Sequence, residues 1–308
     1  MLRLRRCGAA TGFSPVACFH PLQAWQRPTG EVVFVERGAI ARPLTLPCGQ
    51  CIGCRLERAR QWSVRVMHEA SMHDSNYFIT LTYDDDHLPS DGSLTYRHFQ
   101  LFMKKLRKKY AGVRFFMCGE YGERFRRPHY HACMFNLYLP DLVLFSDSRH
   151  KLYTSESLSA LWPYGFVTVG DVTFESACYV ASYTMKKVTG PAAADHYRSV
   201  NPFTGEVFDI VPEFVRMSLK PGIGASWIAK YSSDVYPEDH VIVRGTRAKP
   251  PRYYDKFLAL ADSDLSDFIA FTRYTNSFAH AEDTTPERLA VRETVTRARF
   301  NLKVRTLE

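Results

Sequence analysis

Residues 126–139 read RRPHYHACMFNLYL. From Pro128 onward this is an apolar run with the pattern of a buried strand, and two histidines stand in it one residue apart. Successive side chains of a strand point to opposite faces, so His129 and His131 share a face while Tyr130 points the other way. Their ring nitrogens can converge on one ion, or both rings can be structural histidines with hydrogen-bond partners. Pro128 suits the first position of a strand, where its missing N–H does least harm. Two imidazoles do not complete a site for a divalent cation, and a carboxylate is the natural third ligand for Mg²⁺ or Mn²⁺. Glu120 ends the preceding apolar run, in CGEYG. A tight hairpin brings it alongside His129, with Glu123 as second choice.

Working outward, NYFITLTYDDDHLP (76–89) reads as a strand running into an acidic, solvated turn, where Asp is at home. VRFFMCGEYG (113–122) and GFVTVGDVT (165–173) are further strands, and EVVFVERGAI (31–40) is strand-like. Three stretches have helical spacing. RLERARQWSVRVMHEASMH (55–73) places Ala59, Trp62, Val66 and Ala70 on one face. RHFQLFMKKLRKKY (97–110) places Phe99, Phe102, Leu106 and Tyr110 together, with Lys104, Lys105, Lys108 and Lys109 elsewhere. FESACYVASYTMKKV (174–188) runs to Gly190. The order β–α–β–β–β–α predicts an α+β fold with a central, mainly antiparallel sheet flanked by helices. We expect a basic, disordered extension over 1–16, a cysteine-rich segment and helix over 17–75, and a core over 76–190. Residues 191–308 have no assigned role, carry Pro-, Gly- and Ser-rich loops, and end in a charged helix from about Pro286.

The chain has 308 residues, 45% of them hydrophobic, with a formal net charge of +8. Such a composition is globular, and an excess of this size points to a polyanionic partner. The lysine-bearing helix is either a solvated face or a phosphate-binding one. No apolar stretch is long enough to span a bilayer, and the basic start lacks the apolar segment of a secretory signal. A reducing compartment is therefore expected, and CGQCIGC (48–54) reads as metal-binding rather than disulfide-forming. Cys48, Cys51 and Cys54 offer three thiolates, and structural zinc takes four ligands. Cys18 is the candidate fourth, with His20 and Cys7 behind it. Cys118, Cys133 and Cys178 read as buried thiols.

On the helix at 174–188, Tyr179 and Tyr183 lie ~40° apart in projection, and Lys186 lies ~20° from Tyr179. Two phenols and an ammonium thus share a stripe, either as half-buried aromatics with a snorkelling lysine or as chemistry. A phenol with a pKa of ~10 is a poor nucleophile at neutral pH. It can attack a phosphodiester if a metal polarises the phosphate and a cation steadies the developing charge. The histidine–glutamate set supplies the first and Lys186 the second, in preference to Lys187. A module that merely stacks bases on its tyrosines needs no lysine at that helical phase.

These motifs resemble a family. PHYH matches the His-hydrophobe-His motif of the HUH endonucleases, FITLTYDD their first strand motif, and YVASYTMKK the two-tyrosine helix of rolling-circle initiators. With LPCGQCIGCR, GEYG, PGIGASW and PRYYDK, the chain looks like the replication-initiation proteins of single-stranded DNA microviruses of the gokushovirus type, over roughly residues 17–260. The resemblance implies an HUH-type endonuclease and strand transferase that nicks origin DNA. Tyr179 or Tyr183 would form a 5′-phosphotyrosine, with Mg²⁺ or Mn²⁺ at Glu120, His129 and His131. It implies a host polymerase that extends the freed 3′-OH and action in the bacterial host cytoplasm. The sequence carries no Walker P-loop, so a host helicase is implied as well. Lys104, Lys105, Lys108, Arg126 and Arg127 are the expected DNA contacts. The family's early Cys-x-His-Pro, here CFHP, favours Cys18 or His20 in a structural zinc site. The alternatives are a non-catalytic, zinc-stabilised nucleic-acid-binding protein, or a related HUH relaxase or transposase.

Overall fold

In the computed structural model, residues 18–122, 125–147, 151–186, 192–200 and 205–302 are described, apart from the side chains at 183–186 and 192. The chain opens with strands β1 (Leu22–Gln26), β2 (Val32–Val33) and β3 (Arg42–Leu46), then helix α1 (Ile52–Ala70) and strand β4 (Asn76–Tyr83). Helix α2 (Tyr96–Lys109) leads to β5 (Arg114–Tyr121) and β6 (Pro128–Phe135). Next come β7 (Leu142–Asp147), β8 (Lys151–Ser155), α3 (Glu156–Ser159), β9 (Gly165–Asp171) and α4 (Phe174–Lys186). Beyond lie α5 (Ala192–His196), β10 (Arg198–Val200), β11 (Val207–Asp209) and β12 (Phe214–Met217). The described chain closes with α6 (Ala225–Val235), β13 (Val241–Val243), β14 (Thr246–Ala248), α7 (Arg252–Ala261), α8 (Ser263–Phe278) and α9 (Pro286–Asn301).

Two compact units form. Ala59–Tyr231 make one, and the other joins the chain up to Arg58 with the chain from Ser232 onward. The first unit is built on a seven-stranded sheet in the order β12-β5-β6-β4-β9-β8-β7. Its strands pair antiparallel throughout. The fold is therefore the α+β class that the element order predicts.

Period-two alternation divides the side chains of this sheet between two layers. Ile79, Leu81, Met117, Tyr130, Ala132, Met134, Val167 and Val169 face one way and pack with Phe99, Phe102 and Leu106 of α2. The intervening residues Phe116, Cys118, Cys133 and Phe135 face the other way, against Ala59, Val66 and Ala70 of α1 and Ala177, Val180 and Ala181 of α4. Each such buried Val, Leu, Ile, Phe or Met side chain contributes ~1.5–3 kcal/mol relative to exposure. Buried phenols need partners. The Tyr130 hydroxyl donates to the Thr95 carbonyl at 2.9 Å and accepts from the Thr95 amide at 2.9 Å.

Strands β7 and β8 were not expected from the sequence. In β7, Val143, Leu144 and Phe145 are all exposed, and the register shifts between Leu144 and Ser146. A bulge at an edge breaks the alternation that marks a strand. Where β9 begins beside β4, Gly165 has φ +146°, and a Cβ there would collide with the backbone of Thr82, Tyr83 and Asp84. Only glycine allows that close approach.

In the second unit, β1 pairs antiparallel with both β2 and β3. The run EVVFVERGAI forms only the two-residue β2. Arg273 of α8 is held between Asp239 and Asp255, and Tyr236 donates to Asp255 at 2.8 Å. Thr285 caps α9, accepting from the Arg288 amide at 3.3 Å, with Pro286 in the first helical turn. Residues 1–16, with Cys7, lie outside the described residues, as do Glu123 and Lys187. Among the described residues no helix is long and apolar enough to cross a membrane.

Candidate functional site

Register places the site. On the central strand β6, His129 lies opposite Glu120 of β5 and Thr82 of β4, and His131 lies opposite Cys118 and Thr80. Glu120, His129 and His131 therefore share the sheet face covered by α1 and α4. His129 Nε2 is 3.1 Å and His131 Nε2 2.9 Å from the same carboxylate oxygen, Glu120 Oε1. One donor atom from each of the three residues falls within 4.8 Å of the others. Glu120 and His131 are buried, and His129 is half-buried.

The outer ring nitrogens decide what these atoms can be. His129 Nδ1 is 3.0 Å from the Arg127 carbonyl, which only accepts, so Nδ1 carries the proton. A neutral His129 then turns its Nε2 lone pair toward a carboxylate oxygen. Two acceptors at that separation repel unless a cation sits between them, either a proton on Nε2 or a metal ion. His131 Nδ1 is 2.9 Å from Thr80 Oγ1, which fixes its ring in the same sense. Such outer partners orient metal-bound histidines generally. Phe78 stacks on the His131 ring at 5.4 Å. Burial pushes the Glu120 carboxyl up, but hydrogen bonds from His129 and His131 and their positive charge outweigh it and bring it down to about 2. Glu120 is thus a carboxylate at neutral pH. A buried carboxylate with two converging imidazoles fits a divalent cation with open positions, and the nitrogen donors suit Mn²⁺ better than Mg²⁺.

The Tyr179 hydroxyl donates to Glu120 Oε1 at 3.2 Å, and its ring meets the edge of His131 at 5.1 Å. Tyr183 and Lys186 follow Tyr179 on α4, but their side chains are outside the described residues. Arg127 pairs with the exposed Asp85 at 2.7 Å and donates to the Tyr83 carbonyl at 3.1 Å. Arg126, at φ 49°, is exposed beside it. Lys104, Lys105 and Lys108 are exposed on α2. Because α2 packs on the opposite face of the sheet, the structure does not bring these lysines to the cluster. The sequence reading did not single out Thr80 or the Arg127 carbonyl. Thr80 was findable, since it sits in FITLTYDD at the parity that faces His131.

A second cluster lies in the other unit, where Cys18, Cys48, Cys51 and Cys54 have sulfur atoms within 4.8 Å of one another. The amides of Cys48, Phe19 and Cys51 donate to the sulfurs of Cys18, Cys51 and Cys48 at 3.2, 3.3 and 3.3 Å. Burial raises the Cys48 thiol, but the Cys51 and Gln50 amides and the neighbouring thiols bring it down to about 7. Burial raises Cys18 and Cys54. Four sulfurs around a tetrahedral zinc at ~2.3 Å sit ~3.8 Å apart, and Cys18 Sγ and Cys51 Sγ are 3.9 Å apart. His20 is not in this set, and its Nε2 pairs with Glu293 at 2.7 Å. Cys118 and Cys133 are buried and Cys178 half-buried, each as a free thiol.

Fold and cluster together define an α+β protein with a candidate divalent-metal centre on the central strand of its sheet. The family model for Replication-associated protein ORF2 matches residues 76–188, the span that carries Glu120, His129, His131 and Tyr179. The chain is 34% identical over 253 residues to Replication-associated protein VP4 of Bdellovibrio phage phiMH2K, covering 77% of this chain and 75% of the relative. It is 34% identical over 269 residues to Replication-associated protein ORF2 of Spiroplasma virus 4, covering 78% and 80%. Replication-associated protein ORF4 of Chlamydia phage 1 is 28% identical over 244 residues, covering 75% and 57%. No solved structure matches the chain. The chain belongs to the family of phage replication-associated proteins that these relatives represent.

Proposed function

We propose that this chain initiates rolling-circle replication as a metal-dependent HUH-type endonuclease and strand transferase. Its substrate is origin DNA, single-stranded or unwound. The observation that carries this reading is the meeting of a buried carboxylate, two imidazoles and the Tyr179 hydroxyl at one point of the sheet. Membership of a replication-associated phage family supports it.

Glu120, His129 and His131 would hold the cation, Mn²⁺ or Mg²⁺, which offsets charge on the non-bridging oxygens of a phosphodiester. Arg127 O and Thr80 Oγ1 hold the two rings so that both Nε2 atoms face Glu120. The bond to Glu120 holds the Tyr179 hydroxyl at the same place. The phenol oxygen of Tyr179 or Tyr183 attacks phosphorus, a Tyr–O–P bond forms, and the P–O3′ bond breaks. The 3′ oxygen takes up a proton and is extended by a host polymerase, while the 5′ end stays on the tyrosine. After one round the second tyrosine cuts the regenerated junction. The 3′-OH released by that cut attacks the first phosphotyrosine, which re-forms a diester, frees the phenol and closes a circle. Lys186 is assigned to steady charge during these transfers. Strand unwinding falls to a host helicase in the bacterial cytoplasm.

The test uses labelled single-stranded oligonucleotides tiled across the replicon that encodes the chain. After incubation with Mn²⁺ and a denaturing gel, a covalent adduct is expected with the wild-type protein. It is expected to be absent in Tyr179→Phe/Tyr183→Phe. His129→Ala is expected to lose cleavage and retain oligonucleotide binding. An undiminished adduct in the double Phe variant refutes the nucleophile assignment. Binding with no adduct at all leaves a non-catalytic DNA-binding protein.

We further propose that Cys18, Cys48, Cys51 and Cys54 hold a structural zinc ion. The four-sulfur donor set and the amide hydrogen bonds to it support this reading.

A further inference from the structure

The strand register that assembles the cluster continues past it. Glu120 lies opposite His129, His129 opposite Thr82, and Thr82 opposite Phe166 of β9. These four residues form one row across four strands on one face of the sheet. With strands ~4.8 Å apart, Phe166 stands two strands, or ~10 Å, from His129. Its neighbours Val167 and Val169 point into the opposite layer and are buried, whereas Phe166 is 67% exposed. Helix α4 packs over β12, β5 and β6. At the β4–β9 end of the same face, Thr80, Thr82 and Thr168 are half-buried and Phe166 projects beyond them.

We propose that this open end of the face is where the single-stranded DNA lies next to the scissile phosphate, with one nucleobase stacked on Phe166. The inference rests on the reading of Glu120, His129 and His131 as the phosphate site. The occupant follows from what the surface offers. Flanked by threonine hydroxyls, it combines one flat ring with hydrogen-bonding groups, which matches a nucleobase on a sugar–phosphate chain. The separate aliphatic anchors of a protein interface are lacking. Stacking on a single ring tolerates any base, so Phe166 would position the strand and leave the choice of sequence to other contacts.

The test is fluorescence anisotropy with labelled oligothymidine and with a duplex of matched length, at fixed salt and in EDTA, so that binding is read without cleavage. Phe166→Ala is expected to weaken single-strand binding about tenfold. Phe166→Trp is expected to restore it, and duplex affinity is expected to stay within twofold. Because the ring is exposed, all three proteins are expected to melt together. In a separate arm, oligothymidine carrying 5-iododeoxyuridine is cross-linked by light, and the labelled peptide is expected to contain Phe166. Unchanged single-strand affinity in Phe166→Ala, or equal loss for single strand and duplex, overturns the proposal. The nicking reading is scored independently by the covalent adduct of the wild-type protein. Its absence with an intact Phe166 effect would reject nicking and keep the stacking site.

Discussion

At the scale of single residues, Glu120 is charged where burial opposes charge. Its carboxyl, ordinarily near 4.5, is brought down to about 2 because two histidines more than offset its desolvation. The folded value lies below the unfolded one. The ionised group therefore contributes stability in full above pH ~4.5, and that contribution is lost as pH falls from there toward ~2, amounting to of order 2–3 kcal/mol. Urea denaturation of metal-free protein is expected to show this loss, and Glu120→Gln is expected to flatten it. At neutral pH the same variant is expected to lose Mn²⁺ binding in calorimetry, and the wild-type protein is expected to bind Mn²⁺ more tightly than Mg²⁺. If the variant binds Mn²⁺ as the parent does, Glu120 is not a ligand. This trio was legible in the sequence for a simple reason. Strand parity gives His129 and His131 one face, and a short connection gives Glu120 the facing position. The partners that fix the rings were harder to see. One is a backbone carbonyl, that of Arg127, which no residue type announces.

At the scale of elements, α2 shows how far an amphipathic pattern carries. The spacing of Phe99, Phe102 and Leu106 predicts a helix and its buried stripe, and both are found. It does not say which face of the sheet receives the stripe. That choice belongs to the parity of β4, where Ile79, Leu81 and Tyr83 turn toward α2 while Thr80 and Thr82 turn toward the cluster. Any DNA held by Lys104, Lys105 and Lys108 therefore lies on the side of the sheet away from Glu120. If the three lysines bind phosphates, changing all of them to Ala is expected to make the log K against log salt slope shallower by ~0.9 for each duplex phosphate no longer neutralised. His129→Ala is expected to leave that slope intact and remove cleavage. Titrations over a range of salt concentrations separate the two. An unchanged slope in the triple variant would return α2 to a merely solvated face. The edge strands β7 and β8 stayed hidden for the opposite reason, since their exposed Val143, Leu144 and Phe145 show no period at all.

At the scale of the whole molecule, chain order hides one packing partner that the cysteine cluster depends on. Leu289 of α9 is buried with Phe19 and Cys51, and His20 reaches Glu293 on the same helix. Nothing in the spacing of CGQCIGC announces a partner so far along the chain, because sequence patterns report local periodicity and not long-range closure. Three small buried groups are a thin core, and the His20–Glu293 pair adds at most ~1 kcal/mol, since the His20 side chain is 65% exposed. A metal that ties four sulfurs together supplies the closure that this core cannot, as in small zinc-dependent folds. Full-length protein purified without added metal is therefore expected to carry about one zinc per chain by elemental analysis. Measuring it in the Glu120→Gln background keeps metal at the sheet site out of the count. Cys51→Ser is expected to lose that zinc and to lower the melting temperature of the unit that holds residues 18–58 and 232–302 by calorimetry. The unit that holds the sheet is expected to melt as before. Zinc-free protein in which Cys51→Ser melts like its parent would show that the four thiols pack as ordinary buried cysteines.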